Sequence, residues 1–227
     1  SYNNRVAEKP KKQITLADAY NLVTPDDSRE LYAQWAPTYD KTFIEDNKYV
    51  YPAKIAAVLA KHMPSDRSFS VIDIGCGTGA VGEEIATIRP KSVIEGVDIS
   101  PEMLAVAATK LRQDGTKVYE DLHEADLTGT IYFAANYYDF FVSAGTFTIG
   151  HLGAYELIDA ITVCRSGATI VAGVNQQHWE DDDFASAITE AVDNKTITKP
   201  QYEEVDIYGE GSTHFGDKAR VVIFKKL

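Results

Sequence analysis

Cysteines, basic residues and long apolar runs are scarce in this 227-residue sequence, and each shortage excludes a class of protein. Two cysteines, Cys76 and Cys164, are too few for a disulfide framework and too far apart for a metal clip, so we expect a reducing compartment and predict no metal site. Basic residues number 22 against 34 acidic ones, and the net charge of −12 disfavours a nucleic-acid partner. No apolar run approaches the ~20 residues that cross a bilayer, and no signal peptide opens the chain. We therefore predict a cytoplasmic protein with no membrane partner.

From residue 69 onward, patterns typical of strands alternate with patterns typical of helices. The apolar run Phe69–Ile74 predicts a buried strand, and Ala80–Ile88 predicts the helix that follows it. A second strand over Ser92–Val97 leads into a helix over Pro101–Leu111. Further strands are predicted over 117–120, 138–144, 168–174, 202–208 and 220–224, and further helices over 154–164, ended by Gly167, and over 183–192.

This alternation predicts an α/β fold in which helices cover both faces of a mostly parallel sheet. The last two strands have no helix between them, so we expect an antiparallel pair at one edge. The first fifty residues differ: a polar arm over 1–13 precedes a helix over 15–22 and a second helix from Asp27 or Ser28 to Trp35, which Pro37 ends. Another helix starts at Pro52. We therefore divide the chain into an N-terminal arm with helices, 1–50, and a main domain, 51–227, in a single globular unit.

The segment Val71–Gly79 runs from the first predicted strand directly into a helix and contains three glycines, Gly75, Gly77 and Gly79. Glycine removes the Cβ atom where a backbone turns sharply and a ligand approaches closely. In open α/β sheets, ligands bind at the carboxyl ends of strands. We therefore predict a ligand site at this loop. Because Gly75-x-Gly77-x-x-Ala80 also fits the dinucleotide fingerprint, a nicotinamide cofactor stays open at this point.

Two acidic residues at the ends of later strands could hold an adenosine. Asp98 ends the second strand, where a carboxylate can accept both ribose hydroxyls. Its alternative role is to cap the helix that starts at Pro101, although Ser100 can cap that helix instead. Asp126 follows the third strand and could accept the adenine amine, while Leu127 offers a backbone N–H and an apolar face. The alternative for Asp126 is to cap a turn.

Together these segments resemble the first three motifs of class I S-adenosylmethionine-dependent methyltransferases: Val71–Gly79, Gly96–Leu104 and Ala125–Leu127. Leu31–Asp40 resembles the N-terminal signature of the small-molecule branch that includes ubiquinone-biosynthesis-like enzymes, and Tyr138–His151 resembles the Williams–Beuren-region methyltransferase-like group. The resemblance implies a Rossmann-like three-layer sandwich with a seven-stranded sheet and N-terminal helices that form a lid. It also implies S-adenosylmethionine as cofactor, S-adenosylhomocysteine as product and a small-molecule methyl acceptor.

The resemblance further implies which residues bind the cofactor. The glycine loop would contact the methionine part through its backbone, Asp98 would hold the ribose, and N-terminal aromatic residues would close over the ligand. For Trp35, ordinary core packing is an equal alternative. The implied cofactor-binding residues are Tyr32, Trp35, Tyr39, Asp73, Gly75, Cys76, Gly77, Thr78, Gly79, Asp98, Ile99, Met103, Asp126, Leu127, Ser143, Ala144 and Gly145.

Methyl transfer asks little chemistry of the protein, because the cofactor already carries an activated methyl group. The protein must place the acceptor in line and exclude water. His151 is the candidate general base if the acceptor must lose a proton, and its alternative is to cap the next helix. Thr146, Phe147, His178 and Trp179 are candidates for the substrate pocket. A non-catalytic cofactor-binding protein and an NAD(P)-dependent reductase remain the alternatives, and the chain could be a monomer or a homodimer.

Overall fold

A computed structural model describes residues 25–128, 134–147, 152–176, 179 and 184–227. The predicted polar arm and the predicted helix over 15–22 lie outside these residues. The described part is built on one sheet of seven strands in the order β3-β2-β1-β4-β5-β7-β6. The strands are β1 Phe69–Ile74, β2 Ser92–Asp98, β3 Tyr119–Glu124, β4 Tyr138–Ser143, β5 Cys164–Asn175, β6 Gln201–Asp206 and β7 Lys218–Lys225.

Strands β1 to β5 pair in parallel, and β7 runs antiparallel to both β5 and β6. The predicted antiparallel pairing of the last two strands is confirmed. The antiparallel strand itself, β7, lies one position inside the sheet, and β6 forms the edge. The switch point lies at β1, where the chain order changes direction between β2 and β4, and the ligand site of such sheets lies at the carboxyl ends of these strands.

Six α-helices are described from end to end, and they cover both faces of the sheet. They are α1 Pro25–Trp35, α2 Tyr51–Ala60, α3 Ala80–Ile88, α4 Pro101–Ala107, α5 Ala154–Ala160 and α6 Phe184–Asp193. A 3-10 turn, Ala36–Thr38, and a π-helical turn, Asp40–Glu45, follow α1, and a second 3-10 turn, Ile161–Val163, follows α5.

Two hydrophobic cores flank the sheet, and the residues of β1 alternate between them. Val71 belongs to core A, which α2, α3 and α4 cover, whereas Ile72 belongs to core B, which α5 and α6 cover. This alternation follows from the two-residue period of a strand, and it explains why four of the six residues of β1 are large and apolar, on both faces of the strand. The three-layer α/β sandwich is therefore confirmed.

Several boundaries differ from the sequence prediction. Helix α4 ends at Ala107 instead of 111, and β3 starts at Tyr119 instead of 117. The helix predicted to reach Cys164 ends at Ala160, and β5 already begins at Cys164. Gly167 does not end a helix: it lies inside β5 with φ +83°, where the pairing with β4 shifts. A glycine with positive φ serves a strand bulge as well as a helix end, so the sequence signal was ambiguous.

The helix predicted from Asp27 begins two residues earlier, at Pro25, whose fixed φ suits a first helical turn. Pro37 ends the α-helical hydrogen bonding as expected. The chain nevertheless continues through the 3-10 turn and the π-helical turn up to Glu45. These turns bring the N-terminal segment to the glycine loop, where Asp40 contacts Thr78.

Candidate active site

The glycine loop after β1 needs its glycines for different reasons. Gly75, Gly77 and Gly79 all have positive φ, at +70°, +54° and +99°. A Cβ atom on Gly75 would lie 1.9 Å from Thr146 Oγ1, so the end of β4 packs directly on this glycine. A Cβ atom on Gly77 would meet no protein atom within 4 Å. Gly77 therefore borders open space at the carboxyl end of the sheet, as a ligand-facing residue must.

Most N–H groups of the glycine loop already have partners within the protein. Gly75 N and Cys76 N both donate to Val97 O, at 2.8 and 2.9 Å. Gly79 N donates to Cys76 O at 2.9 Å. The Cys76 side chain is buried in core A, and burial raises the pKa of its thiol well above the ordinary value. The loop is thus a preformed structure in which Cys76 contributes backbone and packing rather than a reactive sulfur.

Asp98 lies at the tip of β2 and holds the loop to the helix that follows. Its Oδ2 accepts a hydrogen bond from Gly77 N at 2.9 Å, and its Oδ1 accepts one from Ser100 N at 2.9 Å. Burial raises the pKa of the Asp98 carboxyl, while the backbone N–H groups lower it. Ser100, not Asp98, caps α4 by accepting from Met103 N at 3.2 Å. The carboxylate keeps one further acceptor position on each oxygen.

Asp73, an implied cofactor residue, lies beneath the loop and bonds to a partner that the sequence analysis missed. Tyr119 donates its hydroxyl to Asp73 Oδ2 at 2.6 Å, and both side chains are buried. The Tyr119 ring lies where Cβ atoms on Gly82 and Gly96 would be, within 3.0 Å of each. A glycine inside a helix and another inside a strand were the available signal of this close approach.

We expect Asp73→Asn to change the pH dependence of stability. Burial raises the pKa of Asp73 from 3.8 to about 7, so the folded state binds a proton more tightly than the unfolded state. The contribution of Asp73 to the free energy of unfolding therefore falls as pH rises from about 4 to about 7. Asparagine still accepts from Tyr119 but cannot ionise. The free energy of unfolding is measured in urea for both proteins at pH 5 and at pH 8. The difference, variant minus parent, should be at least ~1 kcal/mol larger at pH 8 than at pH 5. An equal stability difference at both pH values would contradict this assignment.

The aromatic residues of the N-terminal segment form a stack near Asp98. Trp35 contacts the rings of Tyr39 and Phe43 edge to face, at centroid distances of 4.9 and 5.0 Å, and it stacks on Tyr32 at 6.2 Å. Burial raises the pKa values of Tyr32 and Tyr39, and the nearby charge of Asp98 raises both further. Trp35 is 1% exposed, and its Nε1 has no hydrogen-bond partner among the described residues. Core packing of Trp35 is therefore observed.

A polar contact ties this segment to the glycine loop. Asp40 Oδ1 accepts from Thr78 Oγ1 at 2.5 Å, and Asp40 Oδ2 accepts from Lys110 Nζ at 2.6 Å. Lys110 also donates to Glu83 Oε1 at 3.0 Å. Burial alone would lower the pKa of Lys110, but the hydrogen bonds to Asp40 and Glu83 outweigh it, and the pKa is raised. We call these four residues the latch. The only sequence signal for Asp40 was its place at the end of the N-terminal signature.

Loss of the latch is expected to speed ligand release without unfolding the domain. In Asp40→Asn, the charge pair with Lys110 disappears, and the bond to Thr78 weakens. Because the pair is partly exposed, the stability loss should stay within ~1 kcal/mol. We expect the dissociation rate of S-adenosylhomocysteine to rise about tenfold, measured by stopped-flow fluorescence. Asp46→Asn, which removes the exposed pair with Lys41, is the matched control and should leave that rate unchanged.

The residues predicted to contact adenine lie beyond Asp98, at the ends of β2 and β3. Ile99 is half-buried, and Met103 is buried in core A. Leu127 is buried in core B. Asp126 is exposed, and its Oδ1 accepts from both the N–H and the hydroxyl of Thr128, at 2.9 and 2.6 Å. The turn-capping alternative for Asp126 is therefore observed, and its contact with adenine stays a prediction.

The residues at the end of β4, near which the methyl acceptor is expected to bind, lie next to the glycine loop. Ser143 is fully buried, and its Oγ has no hydrogen-bond partner among the described residues. Gly145 has φ +75°, and the Tyr49 hydroxyl lies 3.4 Å from where its Cβ would be. Beside it lies the hydroxyl of Tyr51, whose pKa is raised by burial and lowered in part by the backbone of Gly145. Ala144, between Ser143 and Gly145, is half-buried.

The predicted pocket residues separate into three groups. Thr146 lies at the site, where its hydroxyl donates to Ile74 O at 2.7 Å. Phe147 and Trp179 are buried in core B, where both rings contact Phe184. Their placement is that of core residues, so the structure gives no support to a pocket role for either. His151 and His178 lie outside the described residues, and their roles stay predictions.

The sheet order, the glycine loop after β1 and the acid after β2 define a Rossmann-like methyltransferase fold. Residues 71–167, somewhat under half of the chain, match the family described as a methyltransferase domain. Over this segment the chain is therefore similar to methyltransferase domains, in sequence as well as in fold. None of the helices among the described residues is long and apolar enough to span a membrane.

Curated relatives match this domain over part of their length. A malonyl-(acyl-carrier protein) O-methyltransferase of Bacillus anthracis is 28% identical over 113 residues, which cover 49% of this chain and 39% of that protein. A demethylmenaquinone methyltransferase of Chlorobaculum tepidum is 34% identical over 88 residues, which cover 36% of this chain and 35% of the relative. The chain thus spans little more than a third of the length of these relatives.

Solved structures share the fold at low sequence identity. Phospholethanolamine N-methyltransferase 2 of Haemonchus contortus, in complex with phosphomonomethylethanolamine and S-adenosylhomocysteine, aligns with a TM-score of 0.61 and 14% identity, over 89% of this chain and 59% of that one. The (4+2)-cyclase SpnF aligns with a TM-score of 0.64 and 14% identity, over 90% and 97%. Because proteins with different reactions share this fold, fold alone does not define the reaction.

Proposed function

We propose that this protein transfers a methyl group from S-adenosylmethionine to a small-molecule acceptor. The observation that carries the proposal is Asp98, a buried carboxylate at the tip of β2 that faces the glycine loop. Each of its oxygens accepts one backbone hydrogen bond and can accept one more. Two acceptor positions side by side match the two hydroxyls of a ribose.

The residues around Asp98 fit the rest of this cofactor. Gly77 borders open space, so a ligand can lie against its backbone. Since Gly75 N and Cys76 N already donate to Val97 O, loop contacts to a methionine part would use carbonyl oxygens, which accept from an ammonium group. The orphaned Oγ of Ser143 and Nε1 of Trp35 are buried polar atoms that a bound ligand could satisfy. When bound, S-adenosylmethionine supplies an activated methyl group on a sulfonium.

The chain itself would bind, orient and exclude water. Tyr32, Trp35 and Tyr39 would close the site as a lid, which the latch at Asp40 holds against the loop. Residues 1–50 would thus belong to the lid and the rest of the chain to the catalytic domain. A dry and closed site favours in-line transfer because reacting groups stay aligned and water cannot compete.

A small-molecule acceptor agrees with the charge of the chain and with its relatives. The net charge of −12 opposes a phosphate backbone. The relatives from Bacillus anthracis and Chlorobaculum tepidum are named for a malonyl group on an acyl-carrier protein and for demethylmenaquinone, and neither name refers to a nucleic acid. The hydroxyls of Tyr49 and Tyr51 beside Gly145 would face such an acceptor. His151 remains the candidate base.

A turnover screen tests this proposal. Purified protein is incubated with S-adenosylmethionine and a panel of carboxylic acids, phenols, quinols, amines and thiols, and the release of S-adenosylhomocysteine is measured. We expect release with at least one class and none from Asp98→Ala. His151→Ala should keep cofactor binding and lose turnover if His151 is the base, and unchanged turnover would remove it from the mechanism.

Binding and turnover measurements distinguish the proposal from the two alternative functions that the sequence leaves open. Cofactor binding without turnover across the panel would favour a sensor or a partner subunit. Binding of NAD(P)H without binding of S-adenosylmethionine would favour a reductase. Size-exclusion chromatography with light scattering would decide between a monomer and a homodimer.

A further inference from the structure

A cluster of polar side chains lies on strands β2 and β3, on the face of the sheet that carries the apolar core B. Glu95 of β2 and Asp121 of β3 are register partners on neighbouring strands, and His123 follows two residues along β3. Strand alternation directs Glu95 to the same face as Val97, which belongs to core B. No helix lies between β3 and β4 within the described residues of that connection, 125–128 and 134–137. The exposed side chain of Asp121 makes the cluster reachable from solvent.

The three side chains converge on one point. His123 Nε2 lies 2.8 Å from Glu95 Oε1 and 3.8 Å from Asp121 Oδ2, and one ligand atom from each residue lies within 4.8 Å of the other two. The side chains of His123 and Glu95 are 21% and 15% exposed, whereas that of Asp121 is 63% exposed. The Tyr138 hydroxyl donates to Glu95 Oε1 at 3.0 Å and so helps to orient that carboxylate.

The chemistry of this set suits a divalent transition metal. One imidazole and two carboxylates are ordinary ligands of Zn²⁺, and a hydrogen bond from the protein to a ligating carboxylate is the usual support. No lysine or arginine pairs with Glu95 in the part of the chain that the structure describes. A partly buried carboxylate that has neither a lysine nor an arginine beside it favours a metal cation there.

We propose that Glu95, Asp121 and His123 form a Zn²⁺-binding site that joins β2 to the edge strand β3. Three protein ligands leave one position of a tetrahedral ion for water. Glu95 lies three residues before Asp98 along β2, and His123 lies three residues before Asp126. Glu95 lies on another strand than Asp121 and His123 and meets them only through strand register, which is why sequence spacing alone predicts no metal site.

Cobalt substitution tests the site directly. The full chain, freed of metal by a chelator and without an affinity tag, is titrated with Co²⁺ and then with Zn²⁺. We expect visible absorption from one bound Co²⁺, which Zn²⁺ abolishes by displacement. His123→Gln and Asp121→Asn should each weaken Co²⁺ binding at least tenfold, because each removes a ligand. Asp121 is exposed, so its substitution leaves the packing of the strands intact.

His214→Gln is the matched control, because His214 also lies 3.8 Å from a carboxylate, that of Asp217. This variant should bind Co²⁺ with unchanged affinity. If the unmodified protein gives no Co²⁺ absorption, or if Asp121→Asn and His123→Gln bind as tightly as the parent, the cluster is a histidine–carboxylate ion pair and the proposal is wrong. The readout involves neither S-adenosylmethionine nor turnover, so it is independent of the proposed function.

Discussion

Asp98→Ala is expected to bind S-adenosylhomocysteine with an affinity at least ~100-fold lower than that of the parent protein, a loss of about 2.7 kcal/mol in binding free energy. The variant removes both acceptor positions for the ribose, and paired hydrogen bonds to a charged group contribute about 1.5–3 kcal/mol each. It also leaves Gly77 N and Ser100 N without their partner, so the loop loses its preformed geometry. Isothermal titration of S-adenosylhomocysteine measures the affinity, and circular dichroism checks that the protein remains folded.

The control for Asp98 is a carboxylate that holds structure elsewhere. Asp139 of β4 accepts from Ser70 and from Arg165 at the other end of the strands. These partners keep the pKa of Asp139 below its ordinary value, although burial opposes them. Asp139→Asn should lower the unfolding midpoint and leave the affinity for S-adenosylhomocysteine unchanged. If both variants bind equally well, Asp98 does not hold the ribose.

Gly77→Ala is expected to separate folding from binding. Alanine at φ +54° costs about 1–2 kcal/mol of stability, and its methyl group meets no protein atom within 4 Å. The variant should therefore fold. The methyl group would occupy the space where a ligand lies against the loop, so we expect affinity for S-adenosylhomocysteine to fall at least tenfold, about 1.4 kcal/mol. Thermal unfolding and titration calorimetry on the same sample measure the two effects.

Two further glycines serve as controls for Gly77. Gly115 has φ +85° and open surroundings in a distant turn, so Gly115→Ala should show a similar strain and unchanged binding. Gly75→Ala should instead destabilise the fold by at least ~3 kcal/mol, because its Cβ would lie 1.9 Å from Thr146 Oγ1. Unchanged affinity in Gly77→Ala would mean that the ligand does not approach the loop there.

The central strands and the glycine loop could be predicted because local pattern and tertiary environment agree there. Strand β1 and helix α3 begin and end where the sequence predicts. A strand buried on both faces is mostly apolar, as β1 is, and three glycines mark the sharp turn into the helix that follows. Asp98 could be predicted for the same reason, since its position follows from the end of a clear strand.

The predictions fail where tertiary contacts override the local pattern. Strand β3 contains Asp121 and His123 and has weak strand character, so its start was placed two residues early. The Tyr119–Asp73 bond and the latch at Asp40 join segments that lie 46 and 38 residues apart, and no local pattern reports such pairs. Phe147 and Trp179 follow strands and pack in core B, and their roles in a substrate pocket stay predictions.

Titration of the full chain with S-adenosylmethionine, in parallel with NADPH, tests the account most directly. The geometry at Asp98 and Gly77 predicts one equivalent of S-adenosylmethionine bound with micromolar affinity and no heat from NADPH. A chain that binds NADPH, or that binds neither compound while folded, would contradict the adenosine site on which the proposed function depends.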